Sequence, residues 1–592
     1  MSRNWPAFLV GCAALFVVAA PFLFGEFAVT LMNYIGIYAL AALGLVLLTG
    51  VGGLTSFGQA AFVGLGAYAT AWYTTALGGS PWIGLVLALV LSGAVATILG
   101  AATLRLGGHF LPLSTIAWGI AIYFLFGNFD ALGRYSGLAD IPPITLGPLS
   151  LAGTRAMYYF IWAVLGLMML LCANLLDSRE GRAIRSLRGG IDMVESLGVG
   201  FFRTRLAVFI IAGLLAGLSG WLYAHLQRFV SPTPFDIKPG IELLLMAIVG
   251  GAGNITGAVV GAAFVTLLKN ALQDVLPALT RNSGQLEIVV FGTLFIALLQ
   301  TSRAGIVPLI KRFCPRSLPE LPGPGEALAA RTYAQPIADR GQLLLRVEAI
   351  AKRFGGLVAV NDITFEVKAG EILALIGPNG AGKTTLFNLI TGVLKPADGR
   401  IFLQGEDITA LPVRRIAEKG IARTFQHVKL RPNMSLIDNV VLGAYVRTRS
   451  GFLSGALRLD RREEQAARRD AVQKLKRVGL GDKANALAGD LPLGQQRLLE
   501  IARALAADPK LLILDEPAAG LRRLEKQALA TLLRELREVG LTIVLVEHDM
   551  DFVMNLVDRI VVMDFGVKLA EGLPPAIRAD ARVQEAYLGG VA

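Results

Sequence analysis

The sequence contains few cysteines and few histidines. Its 592 residues include three cysteines and four histidines. Cys12, Cys172 and Cys314 lie far apart along the chain. They therefore form neither a disulfide framework nor the short spacing of a cysteine-based metal site.

Charged residues are scarce in the first part of the chain. Residues 1–320 contain 18 Lys and Arg and 12 Asp and Glu, whereas residues 321–592 contain 38 and 32. The first part is thus about 9% charged and the second about 26%, and only the second value is ordinary for a soluble domain. The net charge of +12 is not evidence for nucleic-acid binding, because no aromatic–basic platform or recognition motif accompanies it.

Long apolar stretches indicate that the first part spans a membrane. A span needs about 20 mostly apolar residues. The candidates are 7–24, 27–49, 56–77, 83–104, 110–128, 157–176, 205–226, 241–258, 256–272 and 285–302. We therefore predict a polytopic all-α domain with about ten spans, or about eight if 241–272 re-enters the membrane instead of crossing it. The first stretch lacks a clear cleavage site, so we interpret it as a retained span.

The distribution of arginine predicts the orientation. "SREGRAIRSLRGG", residues 178–190, carries four arginines between the sixth and seventh candidates, which is typical of a cytoplasmic loop. Counting backwards places Arg3 and the turn at Arg105 in the cytoplasm. Counting forwards through ten crossings places the charged second half there as well.

A few polar residues interrupt the apolar stretches. Thr55, Ser56 and Gln59 lie at membrane depth, where polar groups are either functional or hydrogen-bond neighbouring helices. The many glycines of this region predict close helix packing or broken helices. Glu242 and Glu287 are interpreted as side chains near span ends that reach the membrane interface.

A proline-rich stretch separates two domains of different composition. Residues 314–342 contain five prolines and no helical or strand period, which is typical of a semi-extended linker. We predict a membrane domain at 1–313, a linker at 314–342 and a soluble domain at 343–592.

The soluble part contains a P-loop in its expected context. "LALIG" (373–377) is a predicted buried strand, and "GPNGAGKTT" leads into an apolar helix. Lys383 is predicted to reach the β- and γ-phosphates of ATP and Thr384 to bind Mg²⁺. The predicted nucleotide contacts of the loop are Gly377, Pro378, Asn379, Gly380, Ala381, Gly382, Lys383, Thr384 and Thr385.

Two further predicted strands end in polar residues. "LLILDEP" (511–517) places Asp515 to hold Mg²⁺ through water and Glu516 to polarise the attacking water. "TIVLVEHD" (542–549) ends at His548, for which a contact with the γ-phosphate is predicted. Together with the P-loop, these residues predict an ATP-hydrolysing α/β domain.

The order of these motifs resembles the nucleotide-binding domain of ABC transporters over residues 343–588. In that family "LPLGQQRLLEIARAL" (491–505) corresponds to the signature that closes over ATP, which implies nucleotide contacts for Gly494 and Gln495. The resemblance further implies that Gln426 couples the site to the membrane domain and binds the metal, that Phe354 stacks on adenine, and that 427–490 is a helical insertion.

Two positions differ from the family pattern. Pro492 and Leu493 replace the usual signature serine and its neighbour, and Arg522 stands where a small polar or acidic residue is usual. A site completed by this signature is therefore expected to lack one hydroxyl contact to the γ-phosphate.

The subfamily is indicated by both halves of the chain. "EAYLGG" (585–590) and the signature helix resemble the ATPases of branched-chain amino-acid importers, and "GVGGLTSFGQAAFVGLGAYATA" and "AIVGGAGNITGAVVGA" resemble their permeases. The chain thus looks like a fusion of two subunits. The arginine-rich loop matches the permease's coupling helix, so its charges are expected to meet the ATPase near Gln426.

This resemblance implies an ATP-driven importer in the bacterial plasma (inner) membrane, with its ATPase domain in the cytoplasm. The implied cargo is branched-chain amino acids or a related small polar or hydrophobic acid or amide, since relatives of these importers also take up urea, amides and aromatic acids. One P-loop and one signature imply a partner: a second permease and a second ATPase, or a second copy of this chain. An extracytoplasmic binding protein, a small-molecule substrate, membrane lipid and Mg²⁺ are also expected, and no nucleic acid. The alternatives are a homodimeric exporter half-transporter and a membrane-anchored regulatory ATPase.

Overall fold

The computed structural model describes residues 5–105, 110–279, 304–311, 325–331 and 339–588, with some isolated residues between 289 and 323. The chain divides into two compact units. The first comprises residues 1–177 and 202–318, and the second comprises residues 178–201 and 319–592. The arginine-rich segment 178–201, which lies between two membrane helices in the sequence, therefore belongs to the second unit.

The first unit is almost entirely helical. A two-stranded antiparallel hairpin, β1 (Thr145–Leu146) and β2 (Leu149–Ser150), is its one sheet within the described residues. Its helices are α1 (Trp5–Leu23), α2 (Glu26–Leu45), α3 (Gln59–Ala76), α4 (Pro81–Thr103), α5 (Phe110–Asn128), α6 (Thr154–Leu176), α9 (Phe201–Gln227), α10 (Ile237–Gly251), α11 (Ile255–Leu279) and α12 (Ile306–Lys311).

Six described helices are long and apolar enough to cross a membrane: Glu26–Val51, Pro81–Thr103, Phe110–Asn128, Thr154–Leu176, Phe201–Gln227 and Ile255–Val275. Six of the ten candidates coincide with them. The candidate at 241–258 divides between α10 and α11, and α10 has 15 residues, fewer than the roughly 20 that a full span needs. The candidate at 285–302 lies mostly outside the described residues, as does Glu287. The count of ten is not confirmed.

Glycines and one glutamine explain how these helices pack. A Cβ on Gly250 would lie 1.7 Å from the carbonyl oxygen of Gly257, so α10 and α11 approach backbone to backbone. The Gln59 amide is buried and donates to the carbonyls of Ala41 at 3.1 Å and Ala212 at 3.0 Å. Hydrogen bonding between helices, the structural alternative for this residue, accounts for both of its donors.

The break that precedes Gln59 follows from the same glycine-rich stretch. Helix α2 continues as a π-helical turn, Val46–Val51, and residues 53–58 are not helical before α3 begins. The predicted helix-breaking role of glycine here is confirmed.

The second unit contains two sheets flanked by helices. Its helices are α7 (Arg179–Ser186), α8 (Ile191–Ser196), α13 (Lys383–Ile390), α14 (Val413–Lys419), α15 (Leu436–Gly443), α16 (Phe452–Ala456), α17 (Arg461–Arg477), α18 (Leu493–Leu505), α19 (Arg523–Glu538), α20 (Met550–Met554), α21 (Pro574–Ala579) and α22 (Ala581–Leu588). Its strands are β3 (Leu343–Phe354), β4 (Leu357–Lys368), β5 (Ile372–Ile376), β6 (Asp398–Leu403), β7 (Glu406–Asp407), β8 (Ile421–Arg423), β9 (Leu511–Asp515), β10 (Thr542–Val546), β11 (Arg559–Asp564) and β12 (Val567–Gly572).

The larger sheet positions the site. Its strand order is β12-β11-β5-β10-β9-β8, and β11, β5, β10, β9 and β8 run parallel. Strands β5, β9 and β10 are buried at every residue, which explains their continuous apolar runs. The smaller sheet, β4-β3-β6-β7, is antiparallel. The predicted α/β fold and the helical insertion, which contains α15, α16 and α17, are confirmed.

The described part of the linker lies against the cassette. Residues 326–330 have no helix or strand, in agreement with the prediction. Arg447 donates to the carbonyls of Leu328 and Ala329, at 3.1 and 2.8 Å. The amide of Arg331 donates to Asp508 at 2.8 Å. Hydrogen bonds therefore hold this stretch to the rest of the second unit.

Candidate functional site

The parallel strands bring the predicted motifs to one edge of the sheet. The P-loop follows β5, Asp515 is the last residue of β9, and His548 lies two residues after β10. In the register of the sheet, Val546 pairs with both Leu375 and Asp515. Because the carboxyl ends of parallel strands lie at the same edge, residues distant in sequence meet there.

The P-loop ends, where it enters α13, with backbone that favours glycine. Gly382 has a φ of +94° and is the N-cap of α13, and a Cβ there would lie 2.3 Å from the carbonyl oxygen of Ala359. Lys383 is 6% exposed, and its ammonium donates to the carbonyls of Gly377 at 2.7 Å and Pro378 at 2.8 Å. Burial lowers the pKa of Lys383, whereas the nearby Glu516 and Asp515 carboxylates oppose that shift. The loop thus holds a cation beside the amides of a helix N-terminus, which suits a phosphate.

Three predicted catalytic residues converge on one oxygen atom. The Gln426 amide donates to Oε1 of Glu516 at 3.0 Å, and Nε2 of His548 lies 3.2 Å from the same oxygen. These side chains come from three separate segments of the chain. The two contacts fix the position of the Glu516 carboxylate, as is needed for a residue that orients an attacking water.

The backbone at Glu516 is strained. Its φ is +48°, in the left-handed region that costs a non-glycine residue roughly 1–3 kcal/mol. Its amide donates to the Val546 carbonyl at 2.9 Å, and its own carbonyl accepts from Ala519 at 3.2 Å. These bonds to β10 and to the following turn hold the strained residue in place.

The surroundings of Asp515 fit a magnesium ion. Asp515 is 1% exposed, and its Oδ1 has no hydrogen-bond partner among the described residues. Burial raises its pKa, and Arg423, 3.7 Å from Oδ2, opposes that shift. A buried carboxylate oxygen without a hydrogen-bond partner, beside the P-loop, is a suitable ligand for the metal ion. Within the described residues there is no group of three or more His, Cys, Asp or Glu that could hold a metal, so Thr384, Gln426 and the nucleotide would have to supply the remaining ligands.

Sequence reasoning missed several residues that position this site. Arg423 donates to Asn388 and Thr391, each at 2.8 Å, and Thr424 accepts from the Asp515 amide at 3.3 Å. A charged residue that ends the apolar strand β8, immediately before "TFQ", was the available signal.

Glu547 and Arg497 act on neighbouring loops. Buried Glu547 accepts from the amides of Ala518 at 2.5 Å and His548 at 3.2 Å. Arg497 donates to the backbone carbonyl of Gln426 at 3.2 Å. An acid directly before His548, and an arginine in the signature helix, were the signals for these two.

The signature residues lie elsewhere. Helix α18 begins at Leu493, with Pro492 as its N-cap, and Gln495 accepts from Lys483 at 2.9 Å. Among the described residues, no hydrogen bond joins Gly494 or Gln495 to the P-loop. Phe354 is the last residue of β3 and is 45% exposed, which leaves its ring accessible.

The arginine-rich segment contacts the cassette through apolar and charged side chains. Ala183, Met193 and Val194 pack in an apolar cluster with Phe425, the residue before Gln426. Arg182 donates to both carboxylate oxygens of Glu464, in the helical insertion, at 2.7 Å. The segment therefore lies beside the Gln426 loop, as predicted.

Arg179 of this segment also contacts the helical insertion. Arg179 donates to the carbonyls of Tyr445 at 3.1 Å and Ser450 at 3.0 Å, and its guanidinium lies 3.5 Å from the centre of the Tyr445 ring. Arg179 and Arg182 therefore both bind the helical insertion.

Comparisons with known proteins agree with this architecture. Residues 27–299 match the family model of the permease component of the branched-chain amino acid transport system. Residues 360–519 match the ABC transporter model, and residues 567–592 match that of the branched-chain amino acid ATP-binding cassette transporter.

Individual relatives match the second half of the chain. The high-affinity branched-chain amino acid transport ATP-binding protein LivG of Escherichia coli K12 is 46% identical over 251 residues, 42% of this chain and 98% of LivG. BraF of Pseudomonas aeruginosa, of the same description, is 45% identical over 249 residues, again 42% of this chain and 98% of the relative. A solved nucleotide-free ATP-binding cassette from an ABC transporter is 33% identical with a TM-score of 0.38, covering 42% of this chain and 99% of that one.

The fold and the site together define an ATP-binding cassette ATPase that is carried on the same chain as a helical membrane domain. ATP binding and hydrolysis coupled to transport are its activity. The chain belongs to the branched-chain amino acid ABC transporter family and joins a permease and an ATPase of that family in one polypeptide.

Proposed function

We propose that this chain drives the import of branched-chain amino acids across the plasma (inner) membrane of a bacterium, with its cassette in the cytoplasm. The names of its relatives, together with the permease match over residues 27–299, support this cargo over the urea and amides that related importers carry. The proposed division of the chain is a permease at 1–313, a linker at 314–342 and a cassette at 343–592.

The convergence of Gln426 and His548 on the Glu516 carboxylate carries the proposed mechanism. Residues 377–385 hold the phosphates, and Lys383 neutralises their charge. Glu516 orients the attacking water, His548 contacts the γ-phosphate, and Thr384, Asp515 and Gln426 are the proposed Mg²⁺ ligands. The metal, when bound, neutralises charge on the phosphate oxygens.

A second cassette is part of the proposal, because transport uses two nucleotide sites and this chain has one P-loop and one signature. Gly494 and Gln495 are proposed to contact ATP held by the partner cassette, and Phe354 to stack on adenine. The partners are a second permease and a second ATPase, or a second copy of this chain, together with an extracytoplasmic substrate-binding protein.

The substitution Glu516→Gln tests the catalytic assignment. It keeps a side chain of the same shape and removes the carboxylate, so the turnover of ATP is expected to fall on the order of 10²–10⁴-fold, the usual contribution of a general base. ATP is expected to remain bound, which equilibrium binding of a fluorescent ATP analogue measures alongside phosphate release.

Glu535→Gln is the matched control, since Glu535 is an exposed residue of α19. Its ATPase rate should equal that of the unaltered protein. Unchanged ATP hydrolysis in the Glu516→Gln variant, with ordinary ATP affinity, would overturn the role assigned to Glu516.

A further inference from the structure

The first unit contains a cavity whose lining combines apolar and charged groups. Its volume is about 270 Å³, far above the roughly 10–15 Å³ that a single ordered water occupies. Helices α2, α3, α9, α10 and α11 all contribute to its wall. It is therefore large enough for a small organic molecule.

An ion pair lies in this wall. Lys269 of α11 donates to Oε1 of Glu242, on α10, at 2.8 Å and to Oε2 at 3.1 Å. The two side chains are 41% and 31% exposed, and both line the cavity. Glu242 was interpreted from the sequence as a side chain reaching the membrane interface, and the structure adds that it is paired with a lysine in the wall of a cavity.

Helix packing does not account for this pair. Charged side chains within membrane segments are costly and mark substrate pathways, and a pair of apolar residues would join two helices at least as well. Helices α10 and α11 already approach closely, because a Cβ on Gly261 would lie 1.8 Å from the carbonyl oxygen of Met246. The exposed heads of the pair are therefore available to a ligand.

The rest of the lining selects the other part of that ligand. Ile37, Val63, Leu243, Met246 and Phe235 present aliphatic and aromatic surface to the cavity. One acidic group and one basic group side by side, next to an apolar wall, match a molecule that carries an ammonium, a carboxylate and an apolar side chain.

We propose that this cavity is a transient binding site for a zwitterionic apolar amino acid within the permease half, in which Glu242 binds the ammonium group and Lys269 the carboxylate. The proposal rests on the proposed amino-acid cargo and deepens it. The ligand replaces each partner of the Glu242–Lys269 pair by a group of the same charge, so the cavity stays neutral with and without it. Such exchange gives weak binding, which suits a site that must also release its ligand.

The decisive variant exchanges the two charges. Glu242→Lys combined with Lys269→Glu keeps an ion pair between α10 and α11 but reverses its polarity relative to the apolar wall. The assay is uptake of radiolabelled leucine by the complete transporter, with its partner subunits and binding protein, in proteoliposomes. Glu242→Gln and Lys269→Gln are each expected to lower uptake about tenfold or more, the factor that corresponds to about 1.4 kcal/mol of lost binding.

The exchanged double variant is expected to take up leucine as slowly as the single variants. Lys311→Gln is the matched control, because Lys311 donates to Asn254 and does not line the cavity. Restoration of uptake by the double variant would show that the pair only joins two helices and would overturn the proposal.

A labelling experiment reads the cavity without requiring transport. Thr233 lines the cavity and is exposed, so Thr233→Cys is introduced into the complete transporter after its native cysteines are replaced by serine. Leucine is expected to slow maleimide labelling at this position at least twofold, urea to leave it unchanged, and the exchanged double variant to abolish the protection.

The two assays separate the two hypotheses. Protection by leucine without leucine uptake would contradict the proposed function and support the site. Leucine uptake without protection, with an active double variant, would support the function and overturn the site.

Discussion

Two ion pairs, one in each unit, show how differently charge is used in this chain. Arg182 and Glu464 form two parallel hydrogen bonds of 2.7 Å, and their side chains are 3% and 13% exposed. Glu242 and Lys269 are 31% and 41% exposed and line a cavity. The first geometry is the planar, two-bonded form that only arginine offers, and the second is a flexible point charge beside open space.

The Arg182–Glu464 pair holds two segments together, whereas the Glu242–Lys269 pair can exchange its partners for those of a ligand. Arg182 belongs to the segment between two membrane helices, and Glu464 to the helical insertion of the cassette. The contact holds the two segments together, because separating a buried pair leaves a charge without its partner. The pair in the cavity can separate at little cost when a ligand supplies substitute charges.

Among the substitutions of these ion pairs, Arg182→Ala should destabilise the protein most. It leaves the Glu464 carboxylate with Arg468 as its remaining partner, at 3.0 Å. Breaking a buried pair costs about 3–5 kcal/mol, and the remaining arginine should keep the loss at the lower end of that range. Hydrogen exchange measured by mass spectrometry on the intact transporter should show faster exchange in residues 179–196 and 461–477. Unchanged exchange in both segments would show that the buried pair does not fasten them.

The double variant Arg182→Met with Glu464→Leu should have a smaller effect, within about 1–2 kcal/mol of the unaltered protein, because it removes both charges of the pair. Arg468, the other partner of Glu464, keeps its ion pair with Asp438 at 3.3 Å. The same hydrogen-exchange measurement checks it. Equal losses in the single and double variants would mean that the shape of the guanidinium, and not its charge, makes the contact.

Lys269→Gln should destabilise the first unit by less than about 1 kcal/mol, because both members of its pair are partly exposed. Thermal unfolding of the detergent-solubilised transporter measures this, and the leucine uptake assay described above provides the contrast. A stability loss as large as that of Arg182→Ala would place the two pairs in one class and remove the distinction drawn here.

Lys568→Ala should destabilise the protein least. Its pair with Glu571, at 3.0 Å, joins side chains that are 34% and 25% exposed, three residues apart on one edge strand. Partly exposed pairs of this kind contribute at most about 1 kcal/mol. A larger shift in the unfolding temperature than that of Lys269→Gln would contradict the use of exposure to rank these pairs.

The cassette was more predictable from sequence than the membrane half. Each predicted motif lies at the strand end where it was expected: the P-loop after β5, the two acids at the end of β9 and His548 after β10. Each motif is contiguous, and its glycine and apolar pattern requires one local geometry. The positioning residues Arg423, Arg497 and Glu547 were missed, because each acts through atoms that are distant in sequence.

The membrane half was predictable in class but not in detail. Hydropathy found the six long helices, yet it merged the short α10 with its neighbour, since an apolar window does not register the turn at residues 252–254. The partner of Glu242 was missed for a related reason. Its position near a span end was visible, but its partner lies 27 residues away.

The sequence by itself determined that an apolar helical domain is followed by an ATP-hydrolysing cassette, because periodicity, charge density and contiguous motifs are local properties of a chain. Only the tertiary structure decided that Gln426 and His548 share one oxygen of Glu516, that the arginine-rich segment packs on Phe425 while Arg182 binds the insertion, and that Glu242 pairs with Lys269 in the wall of a cavity. Those contacts join residues far apart in sequence, and their geometry depends on how the buried strands and close-packed helices fit together.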